Sequence, residues 1–517
     1  MKTRNLFLSL FAFAALCACN KEEVPSYSET LEGDAYIAVN IVTSGDAFTK
    51  ADEGQYASGT NEDAVSSAHF LFFRDDEFVK VLTPTFNNFT GPDNADPDAN
   101  LSKMSEAVLV LENETPTPDK LLVILNTSDS YINSLVGTDI IAANKTLPKV
   151  LATVGDYAYT SGNFLMTNSV YASGDDGANI YNATSIDPSK HLKATEDAAK
   201  ASPVDVYVER VNSKVVVKKG DTFTDNNTFE LDGTPVTLRH NIVGFAVTPT
   251  IGNTHLFKNI DGINTSAGYW NGWNDLTNYR SYWAVNATSP GFTYSQSFDS
   301  ADANYTDNWI EAASGSSQYT CYPEENVLQS DDNPKLIVAV KIEKKISDTP
   351  EEWEGVTAYN YATKWYTESY LLSMAQNALS AAGFTSRTSD NLEVVSAGTE
   401  KEYEVKIQFK ESVTDETEDE KTVLSNLGYA KKWDEGECYF YVDIEHFGKK
   451  DGNVLKGLVR NHQYEISINS ITGWGTPVDL GIGGGIEPED PTDNSYVAAT
   501  INILKWKVVE QDVDLGN

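Results

Sequence analysis

Three groups of residues have the types and spacing to do chemistry. Glu351, Glu352 and Glu354 flank Trp353, carboxylates beside an aromatic ring as in a glycosidase cleft. Asp93, Asn94, Asp96 and Asp98 offer oxygen ligands at roughly calcium-loop spacing, but without the mid-loop glycine and terminal glutamate of an EF-hand. Trp270, Trp273, Tyr279, Tyr282 and Trp283 form an aromatic cluster of the kind that stacks sugars. Each has a plainer reading. With 76 acidic residues in 517, carboxylates meet by chance; the aspartate loop reads as solvated, and the aromatics as packing residues in a core or between domains. The six histidines, His69, His191, His240, His255, His446 and His462, show neither HExxH nor His-x-His spacing. No GxSxG elbow, Walker loop or GxGxxG fingerprint is present. No catalytic residue, metal or cofactor is therefore assigned, and the chain is expected not to be an enzyme.

Charge and length narrow the partners. The 38 basic residues against 76 acidic ones leave a net charge of −38, which excludes nucleic acid and speaks against charge-driven docking to anionic lipid. A hydrophobic fraction of 40% argues for folded domains, and 517 residues allow two to four.

The N-terminus reads as a targeting segment. Lys2 and Arg4 precede an apolar run from Leu6 to Leu16, too short to span a bilayer. Leu16-Cys17-Ala18-Cys19 resembles a bacterial lipobox, with Cys19 as the acylated residue, because Leu16 is too bulky to precede the cleaved bond before Cys17. Residues 1–18 are then a signal peptide, and acylated Cys19 would hold the precursor on the outer membrane. Asn20-Lys21-Glu22-Glu23 is similar to the signals that send lipoproteins to the outer face. Cys321 and Cys438 remain, enough for one bridge at most.

Period-two alternation with turn punctuation predicts an all-β protein with minor α content. Strands are expected at Ile37–Ile41, His69–Phe73, Lys120–Leu125, Val204–Val217, Asn241–Thr248, Lys335–Glu343, Lys401–Phe409 and Glu437–Asp443. One helix is expected after Thr367, with Leu371, Ala375, Ala378, Leu379 and Ala382 as its apolar stripe and Gly383 as its stop. A polar stretch near Gly220–Gly233 suggests a boundary between units 51–225 and 226–480. Residues 481–517 read as a Gly/Pro-rich tether and one last strand, Tyr496–Val509. Along it Val497, Ala499, Ile501 and Ile503 share a face; the phase then slips to Leu504, Trp506 and Val508, as at a bulge. Such a strand folds back or completes another sheet.

Several stretches together resemble the fimbrillins, the major fimbrial subunits of type V pili in Bacteroidetes. They are Phe164–Ser169, Val206–Val217, Tyr282–Ala284, Tyr319–Asn326, Val459–Ile466 with Ile471–Gly475, and the tail Leu504–Leu515. The resemblance implies two transthyretin-like β-sandwich domains in tandem, with a C-terminal donor strand on a flexible tether. It implies a precursor exported as a lipoprotein and trimmed by a trypsin-like protease, which the resemblance places at Lys50-Ala51, making 19–50 a propeptide that carries the first strand. Known members carry arginine there. Polymerisation would follow by strand exchange into a head-to-tail filament of copies of itself, with accessory and anchor subunits, at the cell surface, supporting adhesion and biofilm formation. From Ala51 onward the chain carries 34 basic and 70 acidic residues, net −36. Screening within about 8 Å at physiological salt keeps that charge from blocking an interface built on backbone pairing. Two alternatives stand beside the shaft subunit: a monomeric surface lipoprotein binding glycans or proteins, and an anchor or tip subunit.

Overall fold

The structure is a computed structural model that describes residues 30–31, 33–43, 65–85, 103–112, 115–137, 146–157, 163–173, 179–224, 226–248, 253–259, 310–311, 318–327, 334–399, 401–450, 453–478, 496–504 and 508–511. The Asp93–Asp98 loop and the aromatic cluster from Trp270 to Trp283 lie outside these residues.

The described residues form three β units, the third inserted within the second. In the first, strands run in the order Glu77–Leu82, Ala68–Arg74, Lys120–Leu125, Met166–Asn168, Val204–Arg210, Ala35–Thr43 and Lys103–Leu111. Phe70, Phe72, Leu121 and Val123 meet Ile37, Val39, Ile41 and Leu109 in one core, so the two ends of the sheet face each other across it. The neighbours of those strand residues, Leu71, Phe73, Leu122 and Ile124, point the other way into a second cluster with Ile132 and Leu135 of helix Asp129–Val136. Both faces of these central strands are buried, which is why they read as continuous apolar runs.

The second unit is a two-sheet sandwich. One sheet orders Gln318–Cys321, Lys214–Thr224, Gln463–Thr472, Tyr496–Leu504 and Val508–Gln511. The other includes Asn226–Leu231, Thr234–Thr248, Lys335–Asp348 and Glu437–Asp443. Val215, Val217, Tyr464, Ile466 and Ile468 from the first sheet meet Phe245, Val247, Leu336, Val338 and Phe440 from the second. Asp232 and Gly233 close the hairpin between its first two strands at φ 55° and 73°, the left-handed pair that a two-residue turn needs. Lys214–Thr224 pairs in parallel with Gln463–Thr472, so a strand ahead of residue 225 belongs to this sheet.

The third unit is an insert, of which the sequence predicts only one helix and one strand. Five strands, Ala358–Tyr361, Lys364–Tyr366, Leu392–Ser396, Glu404–Phe409 and Ala430–Trp433, form a sheet. Helix Glu368–Ala381 starts as expected at Thr367, whose side chain accepts the Tyr370 amide; it buries Leu371, Ala375 and Leu379 and is followed by Gly383 at φ 99°. The insert is joined to the sandwich by tryptophans. Trp365 stacks on Trp474 at 4.3 Å and meets Trp433 edge-on at 4.4 Å, while the Trp433 indole donates to the Trp474 carbonyl at 2.8 Å.

Candidate assembly site

The Ala35–Thr43 strand, here the leading strand, lies inside the first sheet. It pairs antiparallel with Lys103–Leu111 over nine positions, from Ala35 opposite Leu111 to Thr43 opposite Lys103. On its other side it runs parallel to Val204–Arg210, from Val39 opposite Val204 to Thr43 opposite Val208. Ile37, Val39 and Ile41 are at most 1% exposed in the core, and Ala38 on the opposite face is 0% exposed. Asn40 is the polar exception: its amide donates to Asp205 Oδ1 on the neighbouring strand at 2.9 Å. Tyr36 and Lys193 exchange backbone hydrogen bonds at 2.7 and 3.0 Å. Withdrawing this strand would open a slot with apolar walls and two rows of unpaired backbone groups. Burial of its three inward side chains contributes about 5–9 kcal/mol as an upper figure.

The second unit repeats this topology. Its first strand, Lys214–Thr224, also sits between an antiparallel neighbour, Gln318–Cys321, and a parallel one near the end of its unit, Gln463–Thr472. That strand is continuous with the first unit through Val211–Ser213, whereas the leading strand is followed by residues 44–64, which include Lys50.

Tyr496–Leu504, the tail strand, pairs antiparallel with Gln463–Thr472 of its own chain, with Ile503 opposite Tyr464, Ile501 opposite Ile466, Ala499 opposite Ile468 and Val497 opposite Ile471. The strand expected to continue through a bulge to Val509 instead reverses: Val508–Gln511 pairs back, Val508 opposite Leu504 and Gln511 opposite Ile501. The slip in apolar phase after Ile503 marks this reversal. Cys19, Lys50, Ala51 and Trp506 lie outside the described residues.

Between the units lies a buried ionic junction that no chemical motif in the sequence announces. Arg460 is fully buried, and its backbone and side chain reach Glu325 at 3.0 and 3.3 Å. Its guanidinium also donates to the carbonyls of Leu256 and His255 at 3.2 and 2.7 Å. Next to it, Asn461 Oδ1 accepts from the Arg210 backbone and guanidinium at 3.2 and 3.3 Å. The Tyr157 amide donates to Glu324 at 2.9 Å. Burial raises the Glu324 carboxyl to about 7, and nearby Asp156 acts in the same direction. Burial also raises Glu209, against the pull of Lys258, which lies 3.8 Å away. Residues of this junction come from Val206–Val217, Tyr319–Asn326 and Val459–Ile466, so three of the stretches that carry the resemblance meet at one place.

Two other candidate groups fall within the described residues. Glu351, Glu352 and Glu354 sit on an exposed hairpin strand, where Arg239 stacks on Trp353 at 4.1 Å and Trp353 donates to Glu351 at 3.1 Å. Cys321 and Cys438 are both free; burial pushes Cys321 up to about 12 and also raises Cys438. Among the described residues no three His, Cys, Asp or Glu side chains are grouped to hold a metal, and no helix is long and apolar enough to cross a membrane.

Comparison with known proteins bears on the C-terminal part. No curated protein matches the chain in sequence. Among solved structures, a fimbrilin (FimA) from Porphyromonas gingivalis W83 covers 90% of this chain and 96% of its own, at 13% identity and TM-score 0.34. The C-terminally truncated tip fimbrial protein Mfa3 from Porphyromonas gingivalis covers 90% and 99%, at 10% identity and TM-score 0.33. A fimbrial assembly protein from Parabacteroides distasonis covers 62% and 94%, at 13% identity and TM-score 0.29. These likenesses are too loose to carry function across. Residues 431–512, which hold the Val459–Gly475 stretch and the tail strand, match the family described as major fimbrial subunit protein type IV, fimbrillin, C-terminal.

Proposed function

We propose that this chain is a structural subunit of a surface fimbria. It is exported as a lipoprotein acylated at Cys19, cut between Lys50 and Ala51 by a trypsin-like protease, and polymerised when its tail strand fills the slot left by a neighbour's leading strand. The observation that carries the reading is the position of the leading strand. It is an interior member of its sheet, yet its covalent link to the later strands of that sheet runs through the segment that holds Lys50. Cutting there leaves it held by non-covalent contacts alone, and an interior strand position exposes more unpaired backbone when vacated than an edge does. Donation from each copy to the next does not close on itself, so the product is a filament. Accessory and anchor subunits would share the same joint, and adhesion and biofilm formation would be properties of the filament.

The self-pairing of the tail strand with Gln463–Thr472 favours a second reading, a self-contained surface lipoprotein that binds glycans or proteins as a monomer. An anchor subunit, which keeps its leading strand, is a third. Two measurements separate them. N-terminal sequencing of surface-extracted protein is expected to start at Ala51; bulk material that retains acylated Cys19 points to an anchor or a monomer. Deleting Tyr496–Asn517 is expected to abolish filaments in cells, and filaments that persist without the tail refute the assembly.

A further inference from the structure

The leading strand and the tail strand carry the same short pattern in the same chain direction. Val39-Asn40-Ile41-Val42 matches Ile501-Asn502-Ile503-Leu504, an Asn-Ile pair between branched aliphatic residues. Aligned on the asparagines, Ile501 falls at position 39, Ile503 at 41 and Ala499 at 37, so the tail presents apolar residues at the three inward positions of the slot. Position 40 is where the slot asks for a polar group. Asn40 is 8% exposed, and its amide is bonded to Asp205 Oδ1 at 2.9 Å. A buried amide without such a partner is destabilising, so this bond selects register as well as contributing stability.

Resting on the assembly proposed above, we infer that the tail strand enters a second copy of this chain in the leading strand's own direction and register, with Asn502 replacing Asn40 against Asp205. The incoming strand then runs parallel to Val204–Arg210 and antiparallel to Lys103–Leu111, as the leading strand does. Sliding two residues one way puts Leu504 at position 40 and sets an apolar side chain against Asp205, whereas in the inferred register Thr500 takes the place of Ala38. Sliding the other way brings Thr500 to position 40, a shorter polar group that is the one competitor for Asp205. In its own chain Asn502 lies opposite Glu465 and Glu510 in the backbone ladder, so the partner Asp205 is gained only on transfer.

Paired cysteines in the full chain, expressed in cells that assemble it, test the register. Asp205→Cys with Asn502→Cys is expected to give a reducible ladder of covalent multimers, and Asp205→Cys with Thr500→Cys is expected to give none. A ladder from the Thr500 pair alone, equal ladders from both, or filaments without a ladder from either would overturn the register. A second pair of variants avoids new cysteines. Asn502→Asp sets a carboxylate against Asp205 and is expected to cut incorporation into filaments about tenfold, and adding Asp205→Asn is expected to restore it. Unchanged incorporation in Asn502→Asp also overturns the inference. Loss of filaments on deleting Tyr496–Asn517 keeps the assembly intact in either case, whereas filaments formed without the tail remove the assembly itself.

Discussion

Replacing Arg460 with methionine probes the junction between the units. The guanidinium is fully buried and holds Glu325, itself 4% exposed, along with two backbone carbonyls and the Thr254 hydroxyl. Removing it leaves the Glu325 carboxylate buried beside an apolar side chain. Breaking one side of a buried pair costs about 3–5 kcal/mol. Arg460 ties the segment leading into Gln463–Thr472 to both Thr254–Leu256 and Glu325, so the cost falls on the connection between units and not on either core. Arg460→Met is therefore expected to lower the urea midpoint of the full chain and to split one transition into two, with the tryptophan fluorescence of the second unit lagging the far-UV signal. Pairing it with Glu325→Leu removes the orphaned charge and is expected to recover at least half of the loss. A single, unsplit transition displaced by less than about 1 kcal/mol would refute the view that Arg460 couples the units.

Three further outcomes follow from local geometry. Glu324 ionises near 4.5 when unfolded and near 7 when folded, so the folded state holds a proton that the unfolded state has lost; its contribution is present below about 4.5 and disappears as pH rises through about 7. Glu324→Gln is thus expected to leave Tm unchanged at pH 4.5 and to raise it at pH 8, by the equivalent of about 1–3 kcal/mol, read by calorimetry. Ala362 and Thr363 turn the insert's first hairpin at φ 48° and 66°, a conformation that suits neither, and replacing them with Asn-Gly is expected to stabilise the chain by about 1 kcal/mol in urea titrations. Ile41→Ala empties a position 1% exposed in the first core and is expected to cost about 2–4 kcal/mol, and to speed loss of the leading strand once the chain is cut after Lys50.

The elements readable from the sequence are those whose burial is local. Leu121–Leu125 is an unbroken apolar run because both its faces are covered, and the Thr367 helix announces itself through a cap, a stripe and a terminal glycine. Arg460 is not legible, because an arginine in a polar stretch reads as solvent-facing and its burial depends on partners 135 and 204 residues away. The insert's sheet is hard to see for a similar reason. Leu392–Ser396 and Lys364–Tyr366 are short and mix charged with apolar residues, and they are held in place by strand pairing. The reversal after Leu504 reads as a bulge in the sequence, since a phase slip looks the same whether the backbone kinks or turns back.

On the proposed assembly, the tail strand has two places to be, and backbone pairing hardly distinguishes them. In its own chain it pairs over nine ladder positions with Gln463–Thr472 and four with its return strand. The slot offers nine positions with Lys103–Leu111 and five with Val204–Arg210. The home site has the advantage of a short tether, which makes its effective concentration high. Side-chain burial is offered at both: at home Ile501 and Ile503 lie opposite Ile466 and Tyr464 of the second core, and the slot encloses the positions of Ile37, Val39 and Ile41 almost wholly. Ile501→Thr with Ile503→Thr keeps two β-branched strand formers and the backbone ladder but removes apolar area at two inward positions, about 2–4 kcal/mol together. The variant is expected to lose protection of its tail from proteolysis in the free subunit and in the filament alike, since Ile501 and Ile503 lie opposite core residues in the one and take inward positions in the other. A tail that stays fully protected in the filament would mean that transfer is driven by something other than the core of the slot.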